Sequence, residues 1–158
     1  MKKKIAKVLS GLLVVTLLLG GCGNQEKIQT PEEYIDENLR EISLSDPWAE
    51  GTLGNTEDYQ VFLSGEAHGI EENYEAEKRL IEYLHTYEGV RYLICELSVS
   101  EGIILEKYIQ TGEAELLTEF MDSMAETEDC NQGYYQFLQW LCQYNMSLPE
   151  KERLHMFG

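Results

Sequence analysis

The stretch "YQVFLSGEAHG", residues 59–69, carries a short β-rich apolar run, Tyr59 to Ser64, straight into a carboxylate and an imidazole, Glu66 and His68, flanked by Gly65 and Gly69. Behind it, Glu71 to Tyr87 repeats apolar residues at helical spacing, with Tyr74, Leu80, Ile81 and Leu84 on one side and Gly89 as the stop. Val90 to Cys95 is then a second run of buried-strand type. Strand, helix, strand over residues 59–96 predicts a βαβ unit, its two strands parallel and adjacent and joined by a right-handed crossover. The expected fold class is therefore α/β, a central mostly parallel sheet with flanking helices.

In an open parallel sheet, functional groups gather outside the carboxyl ends of the strands, where loops vary without disturbing the ladder. Glu66 and His68 follow the first expected strand, and Glu96 follows the second. The crossover makes both strands end on the same rim, so the three ionisable groups converge there. Residues 66 and 68 share a face of an extended chain, and the two glycines permit tight turns and close approach by a ligand. Glu71 and Glu72 are further candidates, although acidic residues in a first helical turn are explained by the helix dipole alone. A carboxylate that ends a run as apolar as Tyr92 to Cys95 is costly to bury without a partner, and His68 is an available one. His85 and His155 read as ordinary surface or edge residues.

The first residues, "MKKKIAK", precede an apolar run from Val8 to Leu19 that is short for a membrane span. A basic start followed by such a run is a secretory signal, and Leu19-Gly20-Gly21-Cys22 resembles the lipobox of bacterial lipoproteins. The alternative is an N-terminal membrane helix with an incidental cysteine. The expectation is a signal peptide over 1–21, a lipidated Cys22, a polar tether over 22–29 and a domain over 30–158. Such a protein is held at the membrane of a bacterial cell envelope, outside the cytoplasm.

Loss of residues 1–21 removes Lys2, Lys3, Lys4 and Lys7 and takes the formal charge from −17 to −21. So acidic a chain repels phosphate backbones and anionic headgroups, which argues against nucleic acid and favours cationic ligands or metal ions. Cys95, Cys130 and Cys142 remain beside Cys22, an odd number that cannot form a closed disulfide set. Cys95 reads as a strand core residue; Cys130 and Cys142 are either a pair or partly buried thiols.

Thr30-Pro31-Glu32-Glu33 combines a capping box with proline at the first helical position and predicts a helix from about Pro31 to Ile42, burying Ile35, Leu39 and Ile42. Asp46-Pro47, Gly51, Gly54 and Asn55 mark Ser43 to Asp58 as irregular. Ser98 and Glu101 form a second capping box, opening a helix with Ile103, Ile104, Tyr108 and Ile109 that stops near Gly112. Leu116, Leu117, Phe120 and Met124 repeat at helical spacing, Asp129 to Gly133 reads as a turn, and Tyr134 to Asn145 as an aromatic-rich helix. Arg153 to Gly158 begins another strand, and a sheet this small covers its edges poorly, so the sequence is expected to be the N-terminal part of a longer domain.

Three segments together resemble the erythromycin esterase-like proteins: Gly65-Glu66-Ala67-His68-Gly69 with Glu96 one helix later, Leu105 to Gly112, and Phe137 to Asn145. The glutamate–histidine opening is also similar to haem-uptake and membrane-metalloprotease relatives of that superfamily. The resemblance covers about residues 30–158. It implies an α/β fold and ester hydrolysis with His68 as general base on water, Glu66 and Glu96 orienting and polarising it. Esterases that open macrolactones usually have one residue more between the glutamate and the histidine than the single Ala67 present here.

A histidine among carboxylates is biased towards its protonated form, which cannot take a proton from water. A cation relieves that bias. Glu66, His68 and Glu96 are a ligand set suited to a divalent metal with an activated water, and a cationic small-molecule substrate would neutralise the site as well. Two function classes follow: a lipid-anchored hydrolase using His68 and no certain cofactor, or a lipoprotein that binds a metal or haem through the same residues without catalysis. An inactive fragment is the third expectation.

Overall fold

The computed structural model describes residues 29–39, 41–65, 67, 70–127 and 130–158. Contacts divide the chain into two units, Met1–Glu41 and Ile42–Gly158. In the first, α1 (Pro31–Asn38) opens with the expected capping box, Thr30 accepting from Glu33 N and Glu33 from Thr30 N. The helix stops at Asn38 rather than Ile42 and buries nothing; Ile35 and Leu39 are exposed. Eight residues give barely two turns, too short to fix an apolar stripe without a surface to pack on.

The second unit contains α2 (Glu71–Glu88), β1 (Tyr92–Ile94), α3 (Val99–Thr111), α4 (Ala114–Ser123), α5 (Gln132–Ser147), a 3₁₀ turn (Glu150–Glu152) and β2 (His155–Phe157). Gly89 and Gly112 end α2 and α3 in the left-handed region, at φ 66° and 73°, where a side chain would be strained. Ser98 and Glu101 form the second capping box. β1 and β2 pair in parallel, Tyr92 opposite His155 and Ile94 opposite Phe157. The fold is thus mixed α/β and rich in helix, with one parallel pair of short strands among the described residues.

The expected first strand is the main departure. Residues 59–65 form no strand, and Val61 and Leu63 stand 74 % and 95 % exposed. β-propensity records how well a side chain fits a half-buried pleat, so an apolar run without a paired neighbour has no reason to become a strand. The βαβ unit expected over 59–96 is therefore present only as its helix and second strand. That second strand also differs from expectation, since Tyr92 and Ile94 are exposed and only Leu93 turns inward.

The core lies between the helices and the inward face of the sheet. Phe120, Phe137, Leu105, Ile109, Leu138, Leu141 and Leu154 are fully buried, joined by Tyr74, Ile81, Leu117 and Met156. Each such side chain contributes roughly 1.5–3 kcal/mol by leaving water. α5 packs on α2 and α3, and α3 on β2. On α3 the apolar stripe is only partly inward: Tyr108 and Ile109 are buried, while Ile103 is exposed. Along α5 the rings of Tyr134, Phe137, Trp140 and Tyr144 stack in sequence at centroid separations of 6.1, 6.0 and 5.4 Å. No disulfide joins Cys95, Cys130 and Cys142. No described helix is long and apolar enough to cross a membrane.

Candidate functional site

Parallel pairing brings the carboxyl ends of β1 and β2 to one rim. Cys95 N donates to Phe157 O at 2.9 Å just beyond the strands, and the chain then bends through Glu96 and Leu97 into the Ser98 cap of α3. Glu96 accordingly sits past the carboxyl end of β1, where the spacing predicted it. It is exposed, and no hydrogen bond or ion pair joins it to another described residue. The expectation that Glu96 is a costly buried charge is corrected: the bend lifts it clear of the apolar run, and water solvates it.

Glu66 and His68 lie outside the described residues, as do the side chain of Glu71 and Cys22. Between the two, Ala67 offers its carbonyl to Asn73 Nδ2 at 2.6 Å, which ties this loop to the first turn of α2. Ile70 precedes that helix and supplies no side-chain cap. Glu72 is exposed. Among the described residues, no three His, Cys, Asp or Glu side chains gather as a metal site.

Beside the rim runs a groove of about 330 Å³, beginning at Val99 and Gly158 and continuing over Ile103, Met156 and Phe157. Its walls are largely apolar, with Glu106 and Lys107 among its margins. Backbone packs closely at its head: a Cβ on Gly158 would meet Leu97 O at 3.0 Å. Within α3's first turn Glu101 is held below its ordinary pKa by the hydrogen bonds it receives at Ser98.

The two described histidines are more integrated than spacing suggested. His85 has both ring nitrogens engaged, Nδ1 with Tyr144 Oη at 2.8 Å and Nε2 with Glu152 O at 2.9 Å. A carbonyl only accepts, so Nε2 carries the proton, and His85 is a bracket between α2, α5 and the 3₁₀ turn. His155 places Nδ1 2.9 Å from Glu106 Oε1, while Glu106 Oε2 accepts from Met156 N at 2.7 Å. That carboxylate covers the outer edge of β2, and His155 is indeed an edge residue. Its partner is 49 residues distant in the chain, and nothing in the sequence signals the pairing.

Asn145, which closes the segment that the family resemblance counts, is also structural. It is fully buried, donates to Ile109 O and Leu154 O, and accepts from Leu154 N. Neither a family model, nor a curated protein, nor a solved structure matches the chain.

Proposed function

We propose that this protein is an extracytoplasmic hydrolase of the erythromycin esterase-like type, anchored by a lipid on Cys22, in which His68 activates water for attack on an ester or related bond. The observation that carries the reading is Glu96 at the carboxyl end of β1, solvent-facing and three residues before Val99, which lines an apolar groove whose 330 Å³ suits the apolar part of a small substrate. In this reading Glu66 and Glu96 orient the imidazole, and the acidic surface favours a substrate with cationic character. A small molecule and the membrane are its partners, and nucleic acid is not.

The sheet in this reading is larger than one pair of strands. His155 N donates to Arg91 O and Cys95 N to Phe157 O, so residues 91 and 95 address β2. By the alternation of a parallel ladder, the main-chain groups of Tyr92 and Ile94 address the opposite edge. That open edge and the exposed run from Val61 to Leu63 are complementary needs within one unit, and pairing Tyr59–Ser64 there yields a central parallel sheet with flanking helices. Gly65 then ends a strand next to the one that Glu96 leaves.

The test is turnover of a panel of simple esters and macrolactones by the full chain and by His68→Ala, each with and without a chelator. Hydrolysis that is lost in the variant and indifferent to chelation supports His68 as a metal-free base. Chelator-sensitive hydrolysis moves His68, Glu66 and Glu96 to the role of metal ligands. Absence of turnover together with metal or haem binding replaces the hydrolase with the non-catalytic lipoprotein, and absence of both removes the hydrolase and the binding reading alike.

A further inference from the structure

A second pocket, of about 280 Å³, lies where the carboxyl-terminal half of α2 meets the Pro47–Trp48 loop and Tyr144 of α5. Trp48, Glu82, Tyr83, Thr86, Tyr87 and Tyr144 line it. We propose that this pocket binds a small alkylated ammonium ion, held by aromatic faces and by the Glu82 carboxylate. The site is independent of the hydrolase reading, because it uses none of Glu66, His68 and Glu96 and shares no lining residue with the groove beside the strand ends.

Four aromatic rings line one small space, and those of Trp48, Tyr83 and Tyr87 are tilted against one another rather than stacked in parallel. Trp48 and Tyr83 have centroids 6.4 Å apart with planes at 58°, and Tyr83 and Tyr87 are 5.0 Å apart at 50°. In the proposed site the ring quadrupoles attract a cation whose charge is spread under an apolar shell. Glu82 adds a formal charge. That charge is shared with Arg79, whose guanidinium is ion-paired with Oε2 at 2.6 Å, whereas Oε1 has no hydrogen-bond partner among the described residues and is the oxygen left to face a ligand. Tyr144 lies close by, its hydroxyl pushed upward in pKa chiefly by burial, against a hydrogen bond with Thr86, with the Glu82 charge the smallest contribution. A chain with formal charge −17 further favours a cation over an anion or a neutral ligand.

The walls are fixed in advance. Trp48 Nε1 donates to Ser43 O at 2.7 Å, and Gly51 N donates to the Tyr83 hydroxyl at 3.1 Å. Arg79 pins the same loop to α2 through Leu44 O and Ser45 O, at 3.1 and 3.2 Å. Tyr144 is braced by Trp140 on its face and by His85 at its edge. A ligand therefore meets a cavity whose ordering is already complete, which lowers the entropic cost of binding. Tyr87 is the exposed wall and the point of entry.

The test uses tetramethylammonium chloride as probe and the indole N–H resonances of the full chain as readout. Only two tryptophans are present, Trp48 and Trp140, and Trp48→Phe assigns the pair. The expected result is a saturable shift of the Trp48 signal with tetramethylammonium, no saturable shift with sodium chloride at equal ionic strength, and at least about tenfold weaker binding of uncharged tert-butyl alcohol. Glu82→Gln and Tyr87→Ala should each weaken tetramethylammonium at least about threefold while Tyr87→Phe retains it. If Glu82→Gln disturbs the fold through Arg79, Tyr87→Ala at an exposed position decides the matter. Equal affinity for tert-butyl alcohol, a response to sodium chloride alone, or unchanged binding in Tyr87→Ala overturns the proposal.

Discussion

The Asn145 side chain accepts the main-chain N–H of Leu154 at 2.6 Å and, from the same amide, donates to Ile109 O at 3.1 Å. One buried side chain thus ties the end of α5 to the approach of β2 and to the last turn of α3. Asn145→Ala should lower stability by roughly 2–5 kcal/mol, because it leaves a buried donor and a buried acceptor unsatisfied and opens a void. Urea unfolding would read this as a lower midpoint with unchanged slope; a shift under about 0.5 kcal/mol would mean that water replaces the amide.

Gly102 in the first turn of α3 lies directly against Gly158, whose Cα a Cβ at position 102 would meet at 2.9 Å, and the neighbours on both sides are backbone. Gly→Ala inside a helix ordinarily stabilises by roughly 0.5–1 kcal/mol. Here the sign should reverse, with Gly102→Ala destabilising by about 1–3 kcal/mol through overpacking, measured as a fall in thermal midpoint.

Ser98→Ala should cost about 1 kcal/mol, the usual value of an N-cap. The same cap carries an acid-side dependence. Glu101 has a folded pKa below its ordinary 4.5, so its contribution is present above that value and is lost as pH falls through the folded one. Stability measured from about pH 6 down to about pH 3 should therefore fall less steeply in Ser98→Ala than in the native chain.

Burial raises the pKa of Tyr108, Tyr144 and Cys142 above their ordinary values of 10.0, 10.0 and 9.0, and the Cys142 thiol adds to the effect at Tyr108. The unfolded chain gives up these protons first, so the stability they protect is complete below about pH 9 and declines as pH rises past 9 to 10. Denaturation midpoints at about pH 8 and about pH 10.5 should differ markedly in the native chain, and by less in Tyr108→Phe. An equal difference in both would remove Tyr108 from the account.

Local signals in the sequence were the readable ones. Both capping boxes and both terminal glycines act within a single helical turn, so that α1 and α3 start, and α2 and α3 stop, where they predict. The helical stripe of Leu117 and Phe120 and the strand near Met156 were likewise visible, because burial imposes a period on sequence. The run from Val61 to Leu63 has strand composition, but whether such a run becomes a strand depends on a neighbour that composition does not encode. The same limit applies at the site. Glu96 was placed correctly relative to β1, whereas its exposure follows from a bend at residues 96–97 that no motif announces. His85 and His155 owe their roles to partners 59 or 67 and 49 residues away, beyond the reach of any spacing rule. The aromatic pocket was missed for a related reason: Trp48, Tyr83 and Tyr144 come from three separate segments, and no spacing rule joins them.

The central claim, that His68 and Glu96 serve one hydrolytic site, is tested most directly by kcat/KM for ester hydrolysis in His68→Ala, Glu96→Gln and the double variant. Residues acting on one step are not additive, so the account predicts a loss of at least about 10²-fold in His68→Ala, a clear loss in Glu96→Gln, and a double variant no worse than His68→Ala alone. Native activity in Glu96→Gln, or single losses that multiply in the double variant, would contradict it.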